Sequence, residues 1–374
     1  MNNEIKTLKI SNYNKFQCIA DKCKYTCCDG WDIGIDNNTY DKWKEDKAYN
    51  ILKNITTIEC GNKKSYCVKK ETEERCPFLD SKGLCDIVKT YGEEYLSSTC
   101  KRFPRIENNF FDRKELTLSC ACPEVVNIIG DNSTEVNITY EVSSDLIELK
   151  IRDVIVGIIK EEGFLLEYKL ILCYEMLLGI LNEEDGIYDE LLDKYKNRQY
   201  INERIKDYSE INLNIYDGLQ EINNLFLDIV ENYRGVSILK TLLEDISIFA
   251  ENTDIEVLEE KWYEYKKLFN NKVYSLLENC IVSKIYSSCV CEDIEEMIIA
   301  YEMIIIEYLL IRYSVFLRYS SDRNNDIAKE DVKDYIVAFS RIIGNNTEAM
   351  VEFFEDGFDD SILELGYLCF IGLF

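Results

Sequence analysis

The stretch CIADKCKYTCCDGW, residues 18–31, places four cysteines within eleven residues: Cys18, Cys23, Cys27 and Cys28. Thiolates that lie three or four residues apart can reach one soft metal centre from a single loop. A disulfide between the adjacent Cys27 and Cys28 would close a strained ring. The stretch therefore predicts a metal-binding loop, which would organise the first part of the fold.

The wider distribution of cysteine bears on which metal is bound. Eleven of the 16 cysteines lie in residues 18–122. Cys76 and Cys122 are each followed by a proline. In bacterial ferredoxins the last of the clustered cluster-binding cysteines is also followed by a proline. Structural zinc usually takes its ligands from CxxC pairs and histidines, and the chain has neither. The spacing therefore favours an iron–sulfur cluster over zinc. A third interpretation, that cysteines are small buried apolar residues, suits the isolated Cys173 and Cys369.

The overall composition excludes several classes of function. The net charge of −27 argues against nucleic-acid binding, because phosphate contacts dominate that affinity. Without histidine, the chain has no Ser-His-Asp or Cys-His catalytic arrangement. The first ten residues lack the apolar segment of a signal peptide. We therefore expect a cytoplasmic protein, in which clustered cysteines more often bind metal than form disulfides.

Apolar residues recur every three or four positions in the second part of the chain, which is typical of amphipathic helices. The clearest helices are predicted for residues 218–233, 291–314 and 329–343. The two most apolar stretches, residues 163–181 and 297–313, carry charges at helical intervals, so we predict core helices and not membrane spans. In the first part we expect short helices, loops and a hairpin around residues 110–120.

Charge is unevenly distributed along the chain. Residues 1–125 hold 21 Lys and Arg and 20 Asp and Glu, so they are nearly neutral. The remaining residues hold 22 Lys and Arg and 50 Asp and Glu, so they are strongly acidic. A polar stretch with turn residues follows at 130–137. We therefore expect a cluster-binding domain over residues 1–130 and a helical domain over residues 131–374, which could divide again near residue 210. The predicted fold class is mainly α, with an irregular cysteine-rich metal-binding N-terminal domain followed by an acidic all-helical domain.

Three segments of the first part carry a family resemblance: NKFQCIADKCKYTCCDGWDIGIDNNTYDKW (14–43), CPFLDSKGLCDIVKTYGEEYLSSTCKRFPR (76–105) and LTLSCACPE (116–124). Together they resemble the flagellin lysine-N-methylase family, which belongs to a larger set of cysteine-cluster proteins regarded as zinc- or iron-chelating. The resemblance covers residues 13–125 and continues more weakly in LLENCIVSKIY (276–286) and VAFSRIIGNN (337–346).

The resemblance implies a protein-lysine methyltransferase that transfers methyl groups from S-adenosylmethionine to surface lysines of flagellin, with the help of a 4Fe–4S cluster. It also implies metal ligands at the family's recurrent cysteines, which here are Cys18, Cys23, Cys27, Cys28, Cys76, Cys85, Cys100 and Cys120. The chain departs from the family in three places. SCACP replaces Ser-Cys-Pro, so Cys120 and Cys122 compete for one position. Cys280 replaces a tyrosine, and Gly344 a frequent histidine.

For the implied methyl donor, the candidate residues are Arg102, Arg105 and Trp31. Arginine binds carboxylates through paired hydrogen bonds, so either arginine could hold the carboxylate of S-adenosylmethionine, offset cluster charge or form a structural salt bridge. Trp31 could cover the cluster or stack on the adenine ring. Asp32 and Asp36 are expected to cap the helix that begins at NNTYDKW. The 26 tyrosines and 70 acidic residues offer no distinctive candidate for a catalytic base.

The leading functional hypothesis is a cytoplasmic, S-adenosylmethionine-dependent protein-lysine N-methyltransferase that acts on flagellin, with no nucleic-acid or membrane partner. The alternative is a non-catalytic iron–sulfur or zinc-binding sensor or adaptor. The acidic second part favours the enzyme, because a simple chelating module would end near residue 125.

Overall fold

The structure is a computed structural model that describes residues 6–28, 33–60, 63–69, 75–131, 135–139, 144–183, 188–233, 237–322, 326–344, 350–354 and 364–374. Helices account for most of the described residues, and the predicted mainly α fold class is confirmed. Among the described helices, none has the length and apolar character needed to cross a membrane.

Two small three-stranded sheets lie in the first part of the chain. The first has the order β1-β6-β5, with β6 parallel to β1 and antiparallel to β5. The second is antiparallel and has the order β2-β4-β3. The strands are β1 (Lys6–Lys9), β2 (Gly34–Ile35), β3 (Ile55–Cys60), β4 (Lys63–Val68), β5 (Arg105–Asn109) and β6 (Arg113–Leu118). The β5–β6 pair confirms the hairpin predicted around residues 110–120.

Short helices accompany these strands: α1 (Asn37–Glu45), α2 (Tyr49–Leu52), α3 (Asp86–Tyr91) and α4 (Ser98–Arg102). Asp36 caps α1 as predicted, since its carboxylate accepts a hydrogen bond from the Thr39 amide at 3.0 Å. Asp32 lies outside the described residues. Trp43 on α1 is 1% exposed, and its indole Nε1 donates to the Tyr95 carbonyl at 3.0 Å. The indole lies in a small core formed by apolar side chains of residues 33–87.

Longer helices build the second part. They are α5 (Pro123–Gly130), α6 (Ile147–Lys160), α7 (Leu166–Leu181), α8 (Tyr188–Lys196), α9 (Arg198–Ser209), α10 (Ile215–Asn232), α11 (Ser237–Glu251), α12 (Ile255–Ser288), α13 (Ile294–Ser321), α14 (Lys329–Ile342) and α15 (Leu365–Gly372). Helices α10, α13 and α14 confirm the three clearest predictions, and their apolar faces are buried as expected. Helix α13 is central and packs against α7, α11, α12 and α14.

The β1-β6-β5 sheet shares its core with the second part. Apolar side chains of β6 and α5 belong to the same buried cluster as those of α12 and α14. On β6, the buried Glu115 carboxylate lies 2.8 Å from Arg113 Nε and accepts from Arg152 Nη2 of α6 at 2.9 Å. The described residues therefore form a small core within residues 33–87 and a large core that joins β1, β6 and α5 to the long helices.

Charged residues within the two most apolar stretches have hydrogen-bond partners inside the protein, and most of them are buried. The Tyr308 hydroxyl donates to Glu167 at 2.9 Å, and the Tyr174 hydroxyl donates to Glu302. Burial raises the pKa of Glu302 from 4.5 to about 8, because the uncharged acid is favoured away from water. Internal partners let these stretches form core helices despite their charges.

Candidate functional site

Five cysteines of the first part lie together beside the small core, and we call them the Cys28 group: Cys27, Cys28, Cys76, Cys85 and Cys100. Backbone contacts position them. The Cys76 amide donates to the Cys28 carbonyl at 3.1 Å, and Cys85 lies at the start of α3. The Cys100 amide donates to Ser97 Oγ at 3.2 Å, at the start of α4. The five thiols thus come from three chain segments, which are residues 27–28, residues 76–85 and the start of α4.

The thiols of the Cys28 group interact with one another. The Cys27 and Cys76 thiols donate hydrogen bonds to the Cys28 sulfur, and these bonds hold the pKa of Cys28 well below its ordinary value. The same bonds, together with burial, raise the pKa values of Cys27 and Cys76. Burial raises the pKa of Cys100 to about 11. A metal ion that bound here would displace the thiol protons, because thiolates are the ligands.

The ligand chemistry of the Cys28 group fits a soft metal centre. All five donor atoms are sulfur, which both zinc and iron–sulfur clusters bind as thiolates. Within the ranges that the structure describes, no three Cys, Asp or Glu side chains already converge as ligands of a single ion. Metal ligation by the Cys28 group stays a prediction.

The other three cysteines predicted as ligands lie elsewhere. Burial raises the pKa values of the Cys23 and Cys122 thiols, with a smaller contribution from Cys18 to the first and from Cys23 to the second. Cys120 lies against Cys280 of α12, and both thiols are buried in the large core. The two cysteines that compete for one family position are therefore separated, since Cys122 interacts with Cys23 whereas Cys120 packs among the helices. Metal ligation by these residues stays a prediction.

A cleft of about 270 Å³ opens beside the cysteine loop, which we define as residues 18–28. Its lining includes Cys23 and Tyr25 of this loop, Lys82, Thr241 of α11 and Arg341 of α14. The cleft therefore lies where the first part of the chain meets the second. Its mixture of cationic, hydroxyl and thiol groups suits a small polar ligand.

Helix α14 supports one wall of the cleft. The Tyr25 hydroxyl donates to Asp334 Oδ2 at 3.0 Å, and Lys24 forms an ion pair with the same carboxylate. Burial raises the pKa of Tyr25 to about 12, so its hydroxyl stays protonated at neutral pH. Burial also raises the pKa of the Cys23 thiol, which donates to the Tyr25 carbonyl at 3.3 Å.

The residues predicted to hold the methyl donor lie away from this cleft or outside the described ranges. Arg102 is exposed at the end of α4, where its Nε donates to the Ser98 carbonyl at 3.4 Å. Arg105 begins β5, and its guanidinium lies 4.9 Å from the centre of the Phe16 ring. Neither arginine lines the cleft. Trp31 lies outside the described residues, so its role stays a prediction.

Sequence analysis did not single out Lys82, Thr241 and Arg341 as site residues, although all three line the cleft. They come from distant segments, and no local spacing links them. Two of them lie in segments that carry the family resemblance: Lys82 in residues 76–105 and Arg341 in VAFSRIIGNN.

Comparison with known proteins gives one matching family and several related proteins. Residues 152–371 match the family described as FliB lysine N-methylase C-terminal domain. The chain is 34% identical over 119 residues to the flagellar biosynthetic protein FliU of Salmonella muenchen, covering 30% of this chain and 70% of that protein.

Two proteins named lysine-N-methylase also match. The protein of Salmonella typhimurium is 32% identical over 131 residues, which cover 34% of this chain and 33% of that protein. The protein of Salmonella choleraesuis is 33% identical over 119 residues, which cover 30% of each chain. The alignments thus span about a third of the length of these two relatives. No solved structure matches.

Proposed function

We propose, since this chain belongs to the FliB lysine N-methylase family, that it is a protein-lysine N-methyltransferase. The proposal includes S-adenosylmethionine as the methyl donor and flagellin as the protein substrate. The observation that supports it most directly is the match of residues 152–371 to this family, and the cleft of about 270 Å³ between the cysteine loop and helices α11 and α14 is the candidate site. Thr241 and Arg341 in its lining lie within the residues that match the family.

Methyl transfer to lysine is a displacement at carbon. A C–N bond forms between the neutral lysine amine and the methyl group while the C–S bond of the sulfonium breaks, leaving a thioether and a methylated ammonium. The ordinary pKa of lysine is about 10.4, so its ammonium must first lose a proton. Asp21 lines the cleft and supplies a carboxylate that would attract this ammonium. The Tyr25 hydroxyl, whose pKa burial raises to about 12, donates to Asp334 and so keeps its proton at neutral pH.

We assign the Cys28 group as the site of a 4Fe–4S cluster, with zinc as the alternative. When bound, such a group would fix the three segments that carry its ligands, as structural metals do. The five cysteines of the Cys28 group are free thiols, and this suits the reducing cytoplasm in which we place the activity.

The proposed activity can be tested with the full chain purified without oxygen. We expect incubation with flagellin and S-adenosylmethionine carrying a deuterated methyl group to label flagellin lysines, as detected by peptide mass spectrometry. Asp21→Asn should slow labelling, whereas Asp41→Asn, at an exposed position on α1, should not. Metal binding with no label on any lysine would overturn the proposal and favour the sensor or adaptor.

A further inference from the structure

Arg341 makes contacts that join the two parts of the chain. It lies in the last turn of α14 and is 3% exposed. Its Nη2 donates to the Tyr25 carbonyl at 2.9 Å, its Nη1 to the Thr26 carbonyl at 3.1 Å and its Nε to the Ala121 carbonyl at 3.0 Å. One guanidinium therefore hydrogen-bonds three backbone carbonyls from two separate segments.

Both segments carry cysteines. Tyr25 and Thr26 directly precede Cys27 and Cys28, and Ala121 lies between Cys120 and Cys122. The planar guanidinium holds its donors in a fixed fork, which a lysine ammonium cannot reproduce. The orientation of Arg341 thus determines where the cysteine loop lies relative to residues 120–122.

A second residue of α14 supports the same arrangement. Asp334 lies seven residues before Arg341, two turns earlier on the helix, and binds Lys24 and Tyr25. The cysteine loop therefore lies along one face of α14, with an acidic contact at one end and a basic contact at the other. This face forms part of the wall of the cleft.

We propose that Arg341 is a positioning residue for the thiols of the cysteine loop, which it holds against α14 beside the cleft. Its role is to fix the backbone before Cys27 and around Cys122, so that the Cys28 group keeps its geometry. The link to methyl transfer rests on the proposed function, whereas the effect on the thiols does not.

The test compares Arg341→Gln and Arg341→Lys with a matched control, Arg312→Gln. Arg312 is also buried in a helix of the second part and donates to the Gly372 carbonyl at 2.7 Å, far along the chain from any segment of the cysteine loop. The rate at which each cysteine reacts with iodoacetamide is measured on the full chain by peptide mass spectrometry. Metal content is measured in parallel on protein purified without oxygen.

We expect Arg341→Gln to speed alkylation of Cys23, Cys27 and Cys28 by about 10- to 100-fold, since a hydrogen bond from a charged group contributes that factor to local opening. Arg341→Lys should have a smaller effect, because lysine keeps the positive charge but lacks the fixed planar arrangement of donors. Metal content should fall in the same order. Cys173, which is fully buried in α7, should react at the wild-type rate in both Arg341 variants.

Three results would overturn the proposal. Unchanged rates for the loop thiols in Arg341→Gln would show that Arg341 does not hold them. Equal acceleration in Arg312→Gln would show a general effect of removing a buried arginine. Acceleration of Cys173 together with the loop thiols in Arg341→Lys would indicate a role in overall stability. If the wild-type protein folds but does not methylate flagellin, the proposed function fails. The alkylation rates would still test the role of Arg341.

Discussion

The amide of Cys76 lies 3.1 Å from the carbonyl oxygen of Cys28 and donates a hydrogen bond to it. The thiols of the same two residues are also hydrogen-bonded. The backbone contact therefore holds the chain segments of Cys28 and Cys76 side by side, with their thiols close together.

Replacing Cys28 or Cys76 with serine should abolish most metal binding. Each substitution removes a sulfur from the centre of the Cys28 group, and serine is a poor ligand for a soft metal. Iron, sulfide and zinc would be quantified on protein purified without oxygen. Cys120→Ser should retain its metal, because Cys120 packs against Cys280 in the large core. Metal loss in Cys120→Ser with retention in Cys76→Ser would contradict the assignment.

Trp43→Ala should destabilise the small core by about 3–5 kcal/mol, because it leaves a large cavity in place of a fully buried side chain. Hydrogen exchange measured by peptide mass spectrometry should show faster exchange in residues 33–100. Peptides of α13 in the large core should keep their protection. Tyr49→Ala provides the control, since Tyr49 is 69% exposed. Uniform loss of protection in both cores would contradict their independence.

Glu115→Gln should lower the free energy of unfolding by about 3–5 kcal/mol, because it leaves two buried guanidiniums without their carboxylate. The measurement is urea denaturation followed by circular dichroism. Glu107→Gln is a matched control on the same hairpin, since its carboxylate pairs with Lys114 at an exposed position. A Glu115→Gln protein as stable as this control would show that the buried ion pairs do not stabilise the junction of β6 with α6.

Glu302 should make the protein less stable as pH rises. Burial raises its folded-state pKa to about 8 from an ordinary 4.5, so between these values the folded state binds more protons than the unfolded state. The free energy of unfolding therefore falls across this window by up to about 1.4 kcal/mol per pH unit. Urea denaturation at several pH values should give a flatter profile for Glu302→Gln. Identical profiles for the two proteins would refute this account.

The helices were the most predictable feature of the fold. The apolar spacing of α10, α13 and α14 depends on residues three and four apart, and that spacing is visible in the sequence. The cap of α1 by Asp36 was also predictable, because the hydrogen-bond partner, Thr39, lies only three residues away in the sequence. Local periodicity and local hydrogen bonds can both be read without knowledge of the tertiary structure.

The site was less predictable because its contacts are distant in sequence. Spacing alone did not separate Cys120 from Cys122, whose surroundings are set by Cys280 on α12 and by Cys23 in the cysteine loop. Nor did it indicate that Arg341 would contact Tyr25, which lies 316 residues away. Such contacts depend on how the helices pack, and a single sequence gives no direct measure of that packing.

The contact between Arg341 and the cysteine loop has a consequence for synthesis on the ribosome. At about 5–20 residues per second, the 316 residues that separate Tyr25 from Arg341 take roughly 15–60 s to translate. Throughout that interval the nascent chain carries its clustered cysteines without the helix that later holds them. The loop can therefore reach the geometry that Arg341 supports only after α14 has been synthesised, when most of the chain is already made.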